Sequence, residues 1–523
     1  MKIFHRNALL LSVCLILLIS FIPTAAALYF QSPGWSWTGI LSRNTADVNG
    51  YLSIIEEIRQ GNFRTHNLFT AEPHPAFQIR PYYSILGLIG RLFPFLSNVF
   101  LLEVGRFFSV LMFLVLLAIL IRRIFSGRRD QILSFLVIAA GSGLGWLHLT
   151  VDPPDLRIVE TSTFLALISP ALYSVSLSLF LGMVICLEAA WRRPEKKWIY
   201  GVIACLLALW EGFDRPFLLG PLVAAVAFTT WWFGIFRRRL NEFLFPSLLL
   251  LLGASLAISY QAHVVSQIPI YAEWNRQHIV LTPEPARLLL SYGLLLPLAI
   301  FGCRAFIKTN PELGTLLAFY LIFSWILSHF PVQFQERFLE GSPLCLSLFA
   351  SYGLLQLLHK FSSAAVQTVM AIVVIAILLP SSVVAISTDI SVLKNRRPPQ
   401  YLPDELLAAM KSLRNLMPPG DAILSAQSSG NFIPAYSGRQ VVLGHQVQTA
   451  GFFEKLRLVT AVFQTNAASG NSGYMLRASG ARWLFWGPEE RWLAGNLFDP
   501  ERSPYCERKF SNRLVRIYHL HGL

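Results

Sequence analysis

ALLLSVCLILLISFIPTAAAL, residues 8–28, runs for 21 residues without Asp, Glu, Lys or Arg. As a helix, a run of this length crosses the ~30 Å hydrocarbon core of a bilayer. Lys2 and Arg6 ahead of it, and the small residues 24–27 near its end, would also suit a cleavable signal peptide. The uninterrupted length favours a retained span, and either alternative sends the following segment outward.

Further apolar segments of comparable length recur along the chain and bring the predicted number of spans to eleven. One of them, 198–212, is short for a crossing. They lie at 99–121, 131–149, 164–190, 198–212, 217–236, 243–264, 287–303, 313–330, 338–358 and 363–387.

The composition agrees with a polytopic helical membrane protein. Of the 523 residues, 54% are hydrophobic and only 14% are charged, which is too much apolar surface for a water-soluble fold of this size. The net charge of +14 comes from short Lys and Arg clusters between apolar runs, so it indicates membrane orientation and no nucleic-acid partner is expected. The cysteines form no CxxC pair or Cys/His cluster, which argues against a disulfide framework and a cysteine metal site.

The charge clusters predict which side each loop faces. Basic residues concentrate in turns such as 122–129, 192–197 and 237–239, and the opposite short loops carry few. The positive-inside rule then puts the N-terminus in the cytoplasm, and eleven crossings leave the C-terminal part outside.

The first outer loop, 29–98, is expected to be structured. Apolar residues from Val48 to Ile58 recur at helical spacing before Gly61, which predicts an amphipathic helix too short to span. Such a helix should lie in the membrane interface, and a second apolar segment, 81–95, should lie there too.

The chain divides near residue 390. Residues 1–390 form the predicted transmembrane catalytic domain, and 391–523 form a small α/β domain in which short strands alternate with helices. We predict helices at 403–415, 430–436, 451–464 and 471–479, and strands at 421–425, 440–443, 482–486 and 507–519.

Asp47 is the first candidate for chemistry, because it lies directly ahead of the amphipathic helix. A carboxylate at the membrane surface can accept a proton from a hydroxyl or help to hold a divalent cation. It would equally serve as the N-cap of the helix, and the two roles are compatible.

Two more outer segments carry candidate residues. Asp155 and Glu160 could hold Mg²⁺ or Mn²⁺ together with Asp47, or they could be solvated loop charges. Arg337 could bind a phosphate through its planar fork, or it could pair with Glu336 or anchor the loop at the interface. Residues 211–216 carry Glu, Asp and Arg at a span end, where an ion pair and a substrate contact are both compatible with the pattern.

The first loop, from Asn44-Thr45-Ala46-Asp47-Val48-Asn49-Gly50-Tyr51 to Gln60-Gly61-Asn62, resembles that of the GT-C superfamily of integral-membrane glycosyltransferases. The likeness is to the protein mannosyltransferase and aminoarabinose transferase group. Asp155, Glu160 and Arg337 lie where that superfamily places further acidic residues and a phosphate-binding arginine. The tail from Tyr436 to His445 resembles the extracytoplasmic tails of many members.

The resemblance implies an inverting glycosyltransferase in a bacterial or archaeal cell membrane. It would move a sugar from a polyprenyl-phosphate-linked donor to a glycan, lipid or protein acceptor on the extracytoplasmic face. Asp47 would be the general base, Arg337 would bind the donor phosphate, and Asp155 or Glu160 would assist through the acceptor or a divalent cation.

Two other classes of function stay open on the sequence. A transporter or flippase of lipid-linked saccharides would carry internal repeats and charges near the bilayer midplane, whereas ionisable residues here collect at span ends. A non-catalytic assembly or sensor protein would bind glycan through the tail.

Overall fold

The computed structural model describes residues 8–78 and 80–522. Among them, eight helices are long and apolar enough to cross a bilayer, or nine if Pro285–Tyr292 and Leu295–Thr309, which meet at 77°, form one broken span. The protein is therefore a multi-pass helical membrane protein, as the sequence predicts. The eight are Ala8–Phe30, Asn98–Ile124, Ala171–Arg192, Pro216–Phe236, Leu240–Gln267, Pro311–Ser328, Gln335–Leu358 and Ala364–Lys394.

Two of the eleven predicted spans correspond neither to these eight helices nor to the broken pair. The segment predicted at 131–149 is a helix only over Arg128–Ala140, about 20 Å long at the α-helical rise, and short turns follow it. The segment at 198–212 lies in the helix Lys197–Asp214, which carries ionisable side chains at both ends. The count of eleven crossings stays a prediction.

The described chain forms two compact units. The helical unit consists of the residues up to Ala26, Val104–Ala262 and Ile279–Ser391. The loop–tail unit consists of Ala27–Glu103, His263–His278 and Val392–Leu523, so the first loop folds together with the C-terminal segment.

Small residues allow close helix packing in the helical unit. Gly302 and Gly353 lie where Leu295–Thr309 meets Ser342–Leu358, and a Cβ on Gly302 would stand 2.2 Å from the Phe349 carbonyl oxygen. Such contacts replace the hydrophobic effect as a driving force between helices in lipid. Shorter helices of this unit are Pro154–Arg157 and Thr163–Ile168.

The loop–tail unit contains seven strands. They are β1 Trp35–Trp37, β2 Tyr401–Pro403, β3 Ala422–Leu424, β4 Gln440–Val441, β5 Trp483–Trp486, β6 Cys506–Ser511 and β7 Arg516–Leu520. Five of them form a mixed sheet of strand order β4-β3-β5-β7-β6, in which β3 is parallel to β4 and β5, and β7 is antiparallel to β5 and β6. A separate antiparallel pair joins β1 of the first loop to β2 of the tail. The helices of this unit are Thr45–Arg59, Pro81–Leu92, Pro269–Gln277, Asp404–Leu416, Gln427–Ser437, Phe452–Phe463, Gly470–Ala478 and Pro488–Ala494.

The prediction of one strand over 507–519 is wrong, because the chain reverses within it. Asn512 accepts hydrogen bonds from the backbone N–H groups of Leu514 and Val515, which closes a turn between β6 and β7.

The two helices of the first loop differ in their surroundings. Thr45–Arg59 packs against Pro81–Leu92 and Gln427–Ser437, and every residue from Val48 to Ile58 is buried, including Glu56 and Glu57. Pro81–Leu92 instead exposes an apolar face that includes Leu92. Of the two, the second helix has the surface suited to a membrane interface.

Candidate functional site

Asp47 lies in the first turn of the helix Thr45–Arg59. The N-cap position is held by Asn44, in the left-handed conformation with φ 50°, so the expectation that Asp47 caps this helix is wrong. A carboxylate in the first turn is stabilised by the N-terminal end of the helix dipole.

His445 of the tail meets the Asp47 carboxylate, with Nε2 at 3.3 Å from Oδ1. The other ring nitrogen, Nδ1, accepts hydrogen bonds from the backbone N–H groups of Val447 and Gln448 at 3.2 and 3.4 Å. An Nδ1 that accepts carries no proton, so the proton of the neutral ring is on Nε2, which donates to Asp47. Asp47 is therefore the member of the pair that can accept a proton.

The loop that carries His445 is fixed on several sides within the loop–tail unit. The side chain of Asn67 donates to the Gln448 carbonyl oxygen at 2.7 Å, and that of Gln277 donates to the Thr449 carbonyl oxygen at 3.0 Å. The Thr449 hydroxyl donates to the carbonyl oxygen of Phe69 at 2.8 Å. These bonds hold the imidazole, which is itself 4% exposed, in one orientation.

Gly50 lets this loop approach the helix that carries Asp47. A Cβ at Gly50 would lie 2.9 Å from the side-chain nitrogen of Gln448. One helical turn after Asp47, Tyr51 stacks on Tyr83 with ring centroids 4.4 Å apart, and the Arg80 guanidinium lies 5.0 Å from the Tyr51 ring centroid. Tyr51 is buried, so it stiffens the helix beneath Asp47 and offers no surface for stacking a sugar.

A second group of charged residues is buried in the helical unit around Arg215. Its Nε donates to Glu340 Oε2 at 2.6 Å and a terminal nitrogen donates to Glu160. The guanidinium also lies 4.2 Å from the Tyr173 ring centroid. Arg215 is 2% exposed, so both ion pairs are shielded from water.

The group contains more carboxylates than Arg215 neutralises. Glu211 is fully buried and accepts a hydrogen bond from the Ser176 hydroxyl. Within the described part of the chain, its second oxygen and Oε1 of Glu340 have no hydrogen-bond partner. The predicted pairing of Arg215 with its sequence neighbours is replaced by pairing with Glu160 and Glu340, which the chain brings from other segments.

Arg337 lies beside this group. It belongs to the 3₁₀ turn Gln335–Leu339, which packs against the turn Val159–Thr161 that carries Glu160. Its guanidinium lies 5.2 Å from the Phe217 ring centroid. Two of the residues predicted for the site, Glu160 and Arg337, are thus on packed segments of one unit.

Asp155 is buried, contrary to the alternative of a solvated loop charge. Its Oδ2 accepts from the Gly145 backbone N–H and the Ser142 hydroxyl, both at 3.3 Å. A Cβ at Gly145 would lie 2.0 Å from Oδ1, so only glycine fits beside this carboxylate. Burial raises the pKa of Asp155, and the hydrogen bonds from Ser381, Gly145 and Ser142 oppose the rise.

An apolar cavity of about 460 Å³ lies next to the turn that carries Arg337. Side chains of the helices Leu295–Thr309, Pro311–Ser328 and Ser342–Leu358 line it, and so does Leu339, which belongs to the same turn as Arg337. We call it the apolar cavity.

The described residues do not fit a multidentate metal site. No group of three His, Cys, Asp or Glu side chains among them is arranged to hold a metal ion. Glu160 already binds Arg215, and Asp155 accepts a backbone N–H and a hydroxyl. That Asp47, Asp155 and Glu160 could hold Mg²⁺ or Mn²⁺ stays a prediction.

The fold is similar to that of an archaeal oligosaccharyltransferase. Three crystal or complex structures of the enzyme from Archaeoglobus fulgidus align with this chain. One of them is tethered to an acceptor peptide with the Asn-Val-Thr sequon. It aligns with a TM-score of 0.58 at 15% identity, and the alignment covers 100% of this chain and 75% of the chain of that structure. A complex with an inhibitory peptide and a dolichol-phosphate has a TM-score of 0.56 at 13% identity, with 99% and 75% covered. A complex with zinc and sulfate has a TM-score of 0.55 at 13% identity, with 97% and 73% covered.

No protein-family model and no curated protein matches the sequence. The likeness therefore concerns architecture alone, and the chain shares the fold of these solved structures.

Proposed function

We propose that this protein is an inverting membrane glycosyltransferase that moves a sugar from a polyprenyl-phosphate-linked donor to an acceptor on the extracytoplasmic face. The observation that carries the proposal is the Asp47 carboxylate held by the Nε2–H of His445. The fold supports it, because a solved structure of the same architecture is an oligosaccharyltransferase in complex with a dolichol-phosphate.

Asp47 acts as the general base in this proposal. It takes the proton from the acceptor nucleophile as that nucleophile attacks the anomeric carbon, and the lipid phosphate leaves from the opposite face, which inverts the configuration. The hydrogen bond from His445 orients the carboxylate before the acceptor arrives, and orientation of this kind lowers the barrier to reaction.

The donor is expected to bind in the helical unit. Its polyprenyl tail suits the apolar cavity, which is lined by aliphatic and aromatic side chains. Its phosphate suits the guanidinium of Arg337, whose turn contributes Leu339 to the cavity wall. We propose that the ion pair between Glu160 and Arg215 fixes the turn Val159–Thr161, against which the turn of Arg337 packs. Asp155 fixes the loop before it through its hydrogen bonds with Gly145 and Ser142.

The charge distribution supports the proposed sidedness. Basic side chains lie in the turns after Ile124, Arg192 and Phe236. These turns all face the cytoplasm, as the positive-inside rule expects, when the predicted segments at 131–149 and 198–212 cross as well. The N-terminus is then cytoplasmic and the loop–tail unit extracytoplasmic.

The test is to incubate the purified protein with a lipid-linked sugar and a panel of glycan, lipid and peptide acceptors. The proposal expects release of the free carrier lipid phosphate together with a glycosylated acceptor. Movement of the intact lipid-linked sugar across the bilayer without cleavage would contradict it and indicate a transporter.

We expect Arg337→Gln to raise the KM for the lipid-linked donor and to lower kcat. A charge-assisted bond to a phosphate contributes about 1.5–3 kcal/mol, so kcat/KM should fall about 10- to 100-fold. Arg337→Lys keeps the charge but loses the bidentate geometry, so its kcat/KM should lie between those of the wild type and Arg337→Gln. Donor titrations with the three proteins check this, and unchanged kinetics in Arg337→Gln would remove the phosphate role.

We expect His445→Phe to lower kcat about 10-fold or more while the KM for the donor changes little, because the ring is kept but the donor to Asp47 is lost. His445→Gln, which retains an N–H donor, should recover part of the activity. Steady-state kinetics of the two variants, once both are shown to melt near the wild-type temperature, distinguish a role of His445 in positioning Asp47 from a role in packing. Equal loss in both would refute the positioning role.

A further inference from the structure

A second cavity, of about 780 Å³, lies in the helical unit at the end of the helices Leu219–Phe236 and Leu295–Thr309 and at the start of Pro311–Ser328. We call it the cationic cavity. Its walls include the apolar side chains of Trp232, Phe319 and Ile322, and Arg237 and Lys308 line it as well.

The two cations differ from Arg239, which also lines the cavity. Arg239 is compensated by ion pairs with Glu242 and Glu312 at 2.6 and 2.7 Å. Arg237 and Lys308 are exposed, and neither has a hydrogen bond or ion pair with any residue that the structure describes. Two uncompensated positive charges therefore stand at the rim of an apolar hollow.

The cationic cavity adjoins the apolar cavity. Ala318 and Ile322 of the helix Pro311–Ser328 belong to the walls of both. An apolar surface thus continues from the cations at the start of this helix towards its other end.

This arrangement matches a lipid that carries a phosphate. Arg and Lys bind phosphate oxygens, and basic pockets between membrane helices bind anionic headgroups. The tryptophan at the wall is a residue type enriched at headgroup level. A soluble phosphate ligand would match the cations but leave the apolar walls unused.

We propose that the cationic cavity binds an anionic phospholipid. Arg237 and Lys308 contact its headgroup phosphate, and one acyl chain lies along Ala318 and Ile322. This site does not include Asp47 or Arg337, and Ala318 and Ile322 are the wall that it shares with the apolar cavity proposed for the donor's tail.

The test is native mass spectrometry of the purified full-length protein with phosphatidylglycerol or phosphatidylcholine of identical acyl chains. We expect the wild-type protein to retain phosphatidylglycerol preferentially. In the double variant Arg237→Gln/Lys308→Gln, retention should fall by at least about fivefold, since each basic residue near an anionic headgroup contributes roughly that factor.

The matched control is Arg238→Gln/Arg304→Gln, which removes two exposed positive charges outside the cavity walls. It should retain phosphatidylglycerol as the wild type does. Equal loss in both double variants, or equal retention of phosphatidylcholine by the wild type, would overturn the site. Displacement of the phospholipid by an equimolar polyprenyl phosphate would overturn the assignment of its occupant.

Discussion

Asp47→Asn is expected to abolish sugar transfer while the protein still folds and inserts. The amide oxygen keeps the acceptor for the Nε2–H of His445, so the geometry of the pair is preserved and the base is lost. General base catalysis contributes about 10²–10⁴-fold, so the rate should fall by that factor or below detection. The rate is measured as the release of carrier lipid phosphate from the lipid-linked sugar.

The control for this prediction is Glu454→Gln, which makes the same chemical change at an exposed carboxylate of the loop–tail unit. It should leave the rate unchanged. A fully active Asp47→Asn protein would end the general-base proposal, whatever the behaviour of Arg337.

Arg215→Met is expected to destabilise the helical unit strongly. The substitution leaves Glu160 and Glu340 buried without their cation. Removing one partner of a buried ion pair costs about 3–5 kcal/mol. The melting temperature of the purified protein should fall accordingly, and the triple variant Arg215→Met/Glu160→Gln/Glu340→Gln should recover part of the loss.

Arg157→Met provides the comparison, because Arg157 pairs with Asp152 at a site where both side chains are more than half exposed. Exposed pairs contribute about 0–1 kcal/mol, so this variant should melt near the wild-type temperature. Equal melting temperatures for the Arg215 and Arg157 variants would show that the buried pairs do not stabilise the fold.

The regular parts of this fold could be predicted from local signals. Apolar runs identified the spans found in the structure, and alternating patterns identified the tail helices and β3, β4 and β5. The helix Pro488–Ala494 was missed although Pro488 at its start and Glu490, which accepts the Gly487 N–H, are recognisable helix-start signals.

The contacts that define the candidate site could not be predicted in this way. Asp47 and His445 are 398 positions apart, and Glu160 and Arg215 are 55 apart. Local periodicity carries no information on such pairings. Asp155 and Glu160 were open to interpretation as solvated loop charges because burial of a loop depends on what covers it.

The ladder between β1 and β2 has a consequence for biosynthesis. Trp35–Trp37 leaves the ribosome long before its partner Tyr401–Pro403 and the imidazole that faces Asp47. The first loop must therefore wait unpaired until those later segments have been made. A product truncated after Lys394 would contain all eight apolar helices described above yet lack the partners of β1 and Asp47, so the proposed base is oriented only after residue 445 has been made.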